Sequence, residues 1–280
     1  MGTQRHAVIY RHEAFEQHAA DLADQFTLIP GHRAPDIEKI GAYWTRRAES
    51  YSEQIKRNER EGPWGRELTS HFPPGTRSVL DMGTGPGFFA ILLARLGFSV
   101  TAADYSTGML ERAKANAGDL LASITFVRTD AQSTGFEDCS FDAVVTRNLT
   151  WNLHDPERAY MEWHRVLRPG GVLVNFDANW YSYLFDDGKR LAFSKDRDSV
   201  RAAGVNDFQD YDDCCTMERI AAALPSGRFD RPKWDTDVLS GIGFIRVSAD
   251  LTAGDRLWSM EERINNASTP LFCVCGTKRL

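Results

Sequence analysis

Alternating glycines with acidic neighbours are the part of this sequence best suited to chemistry. The stretch VLDMGTGPGF places Gly83, Gly85 and Gly87 at every second position, directly after an apolar run. Glycine inside a regular element costs stability, so this cluster indicates that the backbone must come unusually close to another group. Asp81 precedes the glycines, and Asp104 follows 21 residues after Gly83. Bare backbone beside two carboxylates can hold a ligand that carries hydroxyl and amino groups.

Strands and helices alternate around the glycines and must position them. The predicted strands cover 78–82, 98–104, 124–128, 141–146 and 172–176, and the predicted helices cover 87–96, 106–116 and 156–167. Ser106 and Asp155 are predicted N-caps, and Pro156 occupies the first position of its helix. Such alternation predicts a parallel sheet with helices on both faces. Ligands of these sheets bind beyond the carboxyl ends of the strands, where the glycines lie.

Helical patterns precede this alternation. Apolar residues at helical spacing predict helices near 15–26 and over 37–55. The Pro- and Gly-rich segment HFPPGTR at 71–77 then closes the helical section. The predicted organisation is an N-terminal helical cap over 1–70 and a core over 71–280.

A polar segment interrupts the alternation at 178–232. It is rich in aspartate and carries scattered aromatic residues, which predicts a partly helical insertion with one regular helix near 216–224. Its aromatic residues follow no helical or strand period, so we expect them to line a ligand pocket beneath a lid. Strands are predicted again over 244–251 and 271–276, and the wholly apolar run LFCVC indicates that the last strand is interior.

The composition is that of an ordinary globular protein. Of the 280 residues, 42% are hydrophobic and 26% are charged. The formal charge of −6 gives no electrostatic reason to expect a nucleic acid or an anionic membrane as a partner. None of its stretches has the roughly 18 consecutive apolar residues of a membrane span, and the N-terminus carries charges where a signal peptide is apolar. We expect a cytoplasmic protein, and its oligomeric state stays open.

The five cysteines predict neither a disulfide framework nor a metal site. They are Cys139, Cys214, Cys215, Cys273 and Cys275. A chain of this size in a reducing compartment keeps such residues as free thiols. The last two alternate on one face of a predicted strand, where small buried cysteines are common, and no C-x-x-C spacing is present. We therefore expect no metal.

The glycine spacing separates two kinds of nucleotide ligand. The dinucleotide fingerprint G-x-G-x-x-G requires a third glycine where this sequence has Phe88. Asp104 ends the second predicted strand, where a carboxylate can accept both ribose hydroxyls. Asp130 ends the third, where an adenine amino group can be met. The pocket therefore suits a nucleoside with a small zwitterion better than one with a pyrophosphate.

Taken together, these motifs resemble the class I S-adenosylmethionine-dependent methyltransferases of the small-molecule type. VLDMGTGPG is similar to their first motif, DYSTGMLERA to the segment after the second strand, and FDAVVTRN with LRPGG to the fourth and fifth strands. YWTRRAESY at 43–51 is similar to a helix that precedes the core in many members. The resemblance covers 40–177 well and the last two strands loosely. It implies an α/β fold, a Rossmann-like doubly wound seven-stranded sheet whose last strand is antiparallel.

The resemblance also implies a cofactor, S-adenosylmethionine, with S-adenosylhomocysteine as its product. Gly83 and Gly85 would let the backbone lie against the methionine part, and Asp81 would face its ammonium group. Asp104 would hold the ribose, and Tyr105 would flank the adenine. The alternative for Asp81 is a helix-capping role.

Five further positions complete the implied cofactor site. Asp130 and Ala131 would read the amino edge of the adenine, and Asn148 would lie near the methyl group. Tyr43 and Arg47 share a helix face at i and i+4, so both can reach the pocket. Arg47 would then bind the cofactor carboxylate. The structural alternatives are a surface turn for Asp130 and a solvated side chain for Arg47.

Catalysis is carried by fewer candidates. A sulfonium methyl group is already electrophilic, so the protein must align a small-molecule acceptor for direct in-line displacement and exclude water. His154 is the candidate base, although it directly precedes the cap Asp155 and suits a structural role too. Trp151 is a candidate wall for the sulfonium or acceptor through its π face, with ordinary packing as its alternative. Asp177 and Asn179 are candidate acceptor contacts, with a turn role as their alternative.

Other classes of function stay open on the sequence alone. A methyltransferase of proteins or nucleic acids is the second hypothesis, although RNLTW stands where an adenine-methylating N-P-P-[YF] motif would follow the fourth strand. A nicotinamide oxidoreductase is the third, and Phe88 disfavours it. A non-catalytic protein that binds S-adenosylmethionine is the fourth, because no residue is an unmistakable base.

Overall fold

The computed structural model describes residues 37–58, 61–209 and 213–280. The helix predicted near 15–26 lies outside the described residues. Among the described residues, none of the helices has the length and apolarity that a membrane crossing needs. The described chain begins with two helices, α1 (Ile37–Asn58) and α2 (Glu61–His71).

The remaining elements alternate as the sequence predicts. In chain order they are β1 (Ser78–Met82), α3 (Phe88–Arg95), β2 (Ser99–Asp104), α4 (Thr107–Ala117), β3 (Ile124–Arg128), β4 (Phe141–Arg147), α5 (Pro156–Val166), β5 (Leu167–Asp177), α6 (Asp187–Ala203), α7 (Cys214–Ala222), α8 (Lys233–Ile242), β6 (Phe244–Asp250), α9 (Ala253–Leu257), α10 (Met260–Asn265) and β7 (Phe272–Lys278). Short 3₁₀ turns connect several of them. The predicted strands over 78–82 and 124–128 have these bounds in the structure.

The strands form one seven-stranded sheet in the order β3-β2-β1-β4-β5-β7-β6. Strands β1 to β5 pair in parallel, and β7 pairs antiparallel with both β5 and β6. The predicted fold class, with its antiparallel last strand, is therefore confirmed. So is the interior position of LFCVC, because β7 lies between two strands. The order reverses next to β1, so the glycines at the end of β1 lie at a topological switch point.

Alternate residues of the central strands belong to two hydrophobic clusters, one on each face of the sheet. On β1, Val79 belongs to the cluster that contains Trp64, whereas Leu80 belongs to the cluster that contains Trp163. Both tryptophans are fully buried. Covering both faces in this way leaves only the strand ends open to a ligand.

Two predicted helix caps are confirmed. The Ser106 side chain accepts a hydrogen bond from the backbone N–H of Met109 at 3.2 Å. The Asp155 carboxylate accepts one from the N–H of Arg158 at 3.0 Å, with Pro156 in the first turn. Each cap satisfies a backbone donor that the helix itself leaves unpaired.

The insertion at 178–232 contains more helix than the sequence predicts. The expected helix near 216–224 corresponds to α7, but the 17-residue α6 was not expected. Helix α6 begins at the N-cap Asp186 and ends at Gly204, whose φ is +65°. Nearly half of its residues are charged, and Phe193 is one of the few apolar residues that it buries. An apolar face this sparse gives a weak periodic signal.

Candidate active site

The glycine loop at the end of β1 has two different physical roles. The N–H of Gly83 donates to the carbonyl of Ala103 at 2.8 Å, which joins the loop to β2. Gly83 and Gly85 have φ values of +70° and +53°, where residues with a Cβ are disfavoured. A Cβ on Gly87 would lie 3.0 Å from the Cβ of Ala113. The first two glycines therefore shape the loop, whereas Gly87 lets α3 and α4 pack closely.

Asp104 ties the glycine loop to the start of α4. Its Oδ2 accepts a 2.9 Å hydrogen bond from the N–H of Gly85, and its Oδ1 accepts a 2.8 Å bond from the N–H of Ser106. Burial raises the pKa of Asp104 to about 6, although these backbone hydrogen bonds oppose the shift. Two backbone donors thus fix the position of a carboxylate at the switch point.

Asp81 is a second carboxylate below the loop. It is buried, and the hydroxyl of Thr84 donates to its Oδ2 at 2.6 Å. Burial raises its pKa to about 7, with the Thr84 hydrogen bond opposing the shift. A buried acid that titrates near neutrality is stabilised in its charged form by a cation brought close to it.

A cavity, here named the cofactor cavity, opens beside the loop. Seven residues implied by the resemblance line it, namely Gly83, Gly85, Asp104, Tyr105, Asp130, Ala131 and Asn148. The hydroxyl of Tyr105 donates to Oε1 of Glu38 in α1 at 2.5 Å, and the Arg128 guanidinium carbon lies 4.9 Å from the centre of the Tyr105 ring. These contacts hold one wall in place. Asp81 lines a smaller adjoining cavity together with Gly83 and Gly85.

A second cavity, here named the aromatic cavity, lies on the other side of Trp44 and Asn148. Ten aromatic side chains contribute to its lining, namely Tyr43, Trp44, Tyr51, Trp151, Trp180, Tyr181, Tyr183, Phe193, Phe208 and Trp258. Trp151 and Tyr181 form one wall, with ring centres 5.1 Å apart. Five of these side chains come from the insertion at 178–232. The lining also contains Glu262, Asn265 and Asn266, from α10 and the residue after it.

The two cavities meet at a shared wall formed by Trp44, Tyr51, Arg147 and Asn148. Asn148 follows β4 with φ +54°, a left-handed conformation that non-glycine residues seldom adopt. Its side-chain Oδ1 is buried and has no hydrogen-bond partner among the described residues. A strained residue with an unsatisfied oxygen at this junction points to a ligand that completes it.

The comparisons with known proteins agree with this geometry. Residues 80–175 match a family model described as a methyltransferase domain. This match agrees with the family that the sequence motifs resemble, the class I S-adenosylmethionine-dependent methyltransferases. The matched segment contains the glycine loop, Asp104 and Asn148, and the cofactor of this family is S-adenosylmethionine.

Curated relatives match part of the chain. A demethylmenaquinone methyltransferase of Clavibacter sepedonicus is 40% identical over 103 residues, which are 36% of this chain and 41% of that protein. The ubiquinone/menaquinone biosynthesis C-methyltransferase UbiE of Desulfotalea psychrophila is 39% identical over 107 residues, which are 37% of this chain and 42% of that protein. The chain thus spans about two fifths of the length of these relatives.

Solved structures share the fold at low sequence identity. A Haemonchus contortus phosphoethanolamine N-methyltransferase 2, in complex with phosphomonomethylethanolamine and S-adenosylhomocysteine, matches with a TM-score of 0.56 and 16% identity. The match covers 78% of this chain and 53% of that one. The same enzyme in complex with S-adenosyl-L-methionine matches with a TM-score of 0.53 and 17% identity, at the same coverage. At these identities the likeness shows the fold.

Arg147 is a cavity residue that the sequence motifs do not single out. It lines the cofactor cavity, the aromatic cavity and the smaller cavity that contains Asp81. Its guanidinium carbon lies 5.3 Å from the centre of the Trp64 ring and 5.1 Å from that of Phe88. Burial lowers its pKa. The available signal was its position as the last residue of β4, directly before Asn148.

Helix α1 presents a different face to the cofactor cavity than expected. Tyr43 and Arg47 line the aromatic cavity, and they are not among the described residues that line the cofactor cavity. The α1 residues on the cofactor cavity are Ile37, Ile40, Gly41, Trp44 and Tyr51. The two sets lie on adjacent faces of the helix, since Trp44, which lines the cofactor cavity, directly follows Tyr43 in the chain.

His154 lies at the cofactor cavity, away from the shared wall. Its Nδ1 is 3.2 Å from Nε2 of Gln132, and that amide nitrogen also donates to Oδ1 of Asp130 at 3.1 Å. Among the described residues that line the aromatic cavity, the carboxylate is that of Glu262, and His154 is absent. A catalytic role for His154 stays a prediction, but its position does not support that role.

Asp177 and Asn179 connect the end of β5 to neighbouring segments through hydrogen bonds. Asp177 is fully buried, and its Oδ2 accepts hydrogen bonds from Nη1 of Arg231 at 3.0 Å and from the N–H of Trp151 at 3.0 Å. Thr150 also donates to this oxygen, and the other oxygen accepts from the next backbone N–H. The amide of Asn179 donates to the carbonyl of Arg231 at 2.8 Å. These bonds engage both carboxylate oxygens of Asp177, which favours the structural alternative, and an acceptor contact by Asp177 or Asn179 stays a prediction.

Proposed function

We propose that this protein transfers a methyl group from S-adenosylmethionine to a small-molecule acceptor held in the aromatic cavity. The observation that carries the proposal is the shared wall, where Trp44, Tyr51, Arg147 and Asn148 face both cavities. A cofactor on one side and an acceptor on the other would meet there. The cytoplasm is the proposed location of the reaction.

The residues present fit the cofactor. Bound S-adenosylmethionine supplies an electrophilic methyl group on a sulfonium centre. Asp81 would face its ammonium group, which would favour the charged form of this buried acid. Asp104 would accept the ribose hydroxyls. The unsatisfied Oδ1 of Asn148 would gain a donor or a positively charged neighbour at the shared wall.

Arg147, rather than Arg47, is our candidate for the cofactor carboxylate. It shares the smaller cavity with Asp81, so one cation and one anion would face the two charges of a zwitterion. Arg47 lies on the aromatic cavity and suits an acceptor contact better. Aromatic rings around Arg147 exclude water and strengthen its attraction to a carboxylate.

The aromatic cavity would orient the acceptor and exclude water. Its walls combine aromatic surfaces with charged and polar side chains, among them Arg47, Glu262 and Asn265, which could orient an acceptor. The names of the curated relatives, which refer to quinones, support a small-molecule acceptor. Positioning the acceptor in line with the methyl group would supply most of the rate enhancement. Residues 178–232 would act as the lid over this cavity, and 1–70 as its helical cap.

Glu262 is our candidate for accepting a proton from the acceptor. It lines the aromatic cavity, and its Oε2 accepts a 2.7 Å hydrogen bond from the N–H of Ser259, which fixes the carboxylate. A base is required only for an acceptor that must lose a proton before or during attack.

The test is transfer of label from methyl-labelled S-adenosylmethionine. The protein is incubated with three separate fractions of a cell extract, containing small molecules, proteins or nucleic acids, and mass spectrometry locates the label. We expect label in the small-molecule fraction with the wild type and little with Asp104→Ala. Label in the protein or nucleic-acid fraction would contradict the proposed acceptor class. No label in any fraction, with cofactor bound, would favour a non-catalytic binding protein.

A further inference from the structure

Three potential metal ligands lie close together on the face of the sheet toward α2, outside both cavities. His71 is the last residue of α2, and Cys273 and Cys275 alternate along β7, so both thiols are on the face toward α2. The two Sγ atoms lie 3.6 Å apart, and Nδ1 of His71 lies 3.4 Å from Sγ of Cys275. Nε2 of His71 is 4.0 Å from Sγ of Cys273.

Two of these separations match edges of a tetrahedral zinc site in which His71 binds through Nδ1. Zinc binds thiolate sulfur at about 2.3 Å and imidazole nitrogen at about 2.0–2.1 Å, so tetrahedral angles place two sulfurs about 3.8 Å apart and sulfur and nitrogen about 3.5 Å apart. The observed distances of 3.6 Å and 3.4 Å differ from these by a few tenths of an ångström. Small rotations of the side chains would accommodate the ion.

A carboxylate orients the histidine in the way that metal sites require. Oε1 of Glu67 lies 3.4 Å from Nε2 of His71, on the side of the ring opposite Nδ1. Nη2 of Arg256 lies 2.9 Å from the same oxygen and fixes its position. A histidine that binds a metal through one nitrogen usually donates its other N–H to such a carboxylate, which sets the tautomer and the ring orientation.

The thiols suit an ion that binds thiolates. The two sulfurs and the imidazole nitrogen all lie within 4.8 Å of one another. Cys273 is buried, whereas Cys275 and His71 are partly exposed, so an ion can enter from solvent. A mixed set of two sulfurs and one nitrogen favours zinc over the harder cations that take oxygen ligands.

We propose that His71, Cys273 and Cys275 bind one Zn²⁺ ion, with a water molecule in the fourth position. The ion would join α2 to the interior strand β7. Helix α2 also carries Trp64, whose ring packs against Arg147 and, with ring centres 5.0 Å apart, against Phe176. The ion would therefore stabilise a helix that packs behind the shared wall.

Cobalt substitution tests this proposal directly on the full chain. The protein is stripped with a chelator under reducing, anaerobic conditions and titrated with Co²⁺, which gives thiolate-to-cobalt charge-transfer absorption when cysteines bind it. We expect the absorption to saturate at one equivalent and to disappear when Zn²⁺ is added. Cys275→Ser and His71→Asn should each weaken Co²⁺ binding at least tenfold.

The chain contains a matched control. Cys214 and Cys215 form a second thiol pair, with Sγ atoms 3.9 Å apart, and the residues described around them include no histidine ligand. Cys215→Ser should leave the cobalt absorption unchanged. Zn²⁺ should raise the melting temperature of the wild type and of Cys215→Ser but not that of Cys275→Ser.

The contrary results are equally definite. Absence of charge-transfer absorption in the wild type, or its persistence in both Cys275→Ser and His71→Asn, would overturn the site. Loss of the absorption in Cys215→Ser would assign the metal to the other thiol pair and also overturn it. These two site variants change partly exposed residues, so the test does not depend on replacing the buried Cys273. The affinity for S-adenosylhomocysteine provides a separate check that each variant is folded.

Discussion

Oδ2 of Asp177 lies 3.0 Å from Nη1 of Arg231, and both side chains are almost completely buried. Asp177 ends β5, and Arg231 lies just before α8, so this ion pair attaches the end of the insertion to the sheet. Asp235 adds a second carboxylate, 2.9 Å from Nη2 of Arg231. The same Asp177 oxygen holds the backbone N–H of Trp151, so the ion pair also fixes one wall of the aromatic cavity.

Asp177→Ala should destabilise the fold rather than weaken acceptor binding specifically. Arg231 keeps its pair with Asp235, but the buried donors of Thr150 and Trp151 and Nη1 of Arg231 lose their acceptor, at about 1–3 kcal/mol for each unsatisfied group, so we expect the free energy of unfolding to fall by several kcal/mol. Denaturant titration measures this change. Asp237→Ala is the control, because it removes an exposed pair with Lys233 and should cost less than about 1 kcal/mol. If Asp177→Ala kept the stability of the wild type but bound the acceptor more weakly, the result would instead support a direct contact between Asp177 and the acceptor.

Asp104→Ala should weaken binding of S-adenosylhomocysteine more than Asp81→Asn does. The alanine leaves the N–H groups of Gly85 and Ser106 and the ribose hydroxyls without their acceptor, at about 1–3 kcal/mol for each unsatisfied buried group. We therefore expect at least a tenfold rise in Kd by calorimetry, whereas the asparagine keeps its shape and one acceptor. Asp119→Ala, at an exposed position, is the control. Equal affinities in Asp104→Ala and the wild type would place the ribose elsewhere.

Cofactor affinity should fall as the solution is acidified. Burial raises the pKa of Asp104 to about 6 and that of Asp81 to about 7, so both carboxylates are charged above these values and gain protons below them. The proposed ligand requires the charged forms, so Kd should rise from about pH 8 to about pH 5, by up to tenfold per pH unit for each protonated group. Asp81→Asn should remove the upper part of this dependence. A pH-independent Kd in the wild type would contradict these assignments.

Glu262→Gln should lower kcat and leave cofactor affinity unchanged. Glutamine can replace glutamate in the capping box with Ser259, so the helix end is preserved while the base is lost. General base catalysis contributes about 10²–10⁴-fold, and we expect a loss in this range with an acceptor that must lose a proton. His154→Gln is the comparison and should retain most of the activity. If His154→Gln lowered kcat more than Glu262→Gln did, His154 would be the better candidate for the base.

The sheet and the glycine site follow from local signals in the sequence. Strand β1 reads as a short apolar run that ends at Asp81, and the cap residue Ser106 marks the start of α4. Such signals depend on a few neighbouring residues, so they can be recognised without knowledge of the tertiary structure. The position of Asp104 beside the loop follows from the same pattern, because parallel strands place their carboxyl ends at one edge.

Long-range pairing explains what the sequence did not reveal. Helix α6 buries Arg197 and Asp196, which are stabilised by partners in distant segments, Asp207 and Asn265 for the arginine and Ser268 for the aspartate. Charged residues stabilised in this way give no apolar period. Arg147 was missed for a similar reason, since its role comes from the three cavities that meet around it and not from its neighbours in the chain.

The central claim is that the cofactor cavity binds S-adenosylmethionine, and calorimetric titration of the wild type tests it most directly. Titrations with S-adenosylmethionine, S-adenosylhomocysteine and NAD are compared under the same conditions. We predict saturable binding of the first two ligands, and a rise in melting temperature equivalent to about 2.7 kcal/mol at 100 times Kd. NAD should give neither, since the loop lacks the third glycine of the dinucleotide fingerprint. Binding of NAD, with no binding of the two sulfur compounds, would contradict the account.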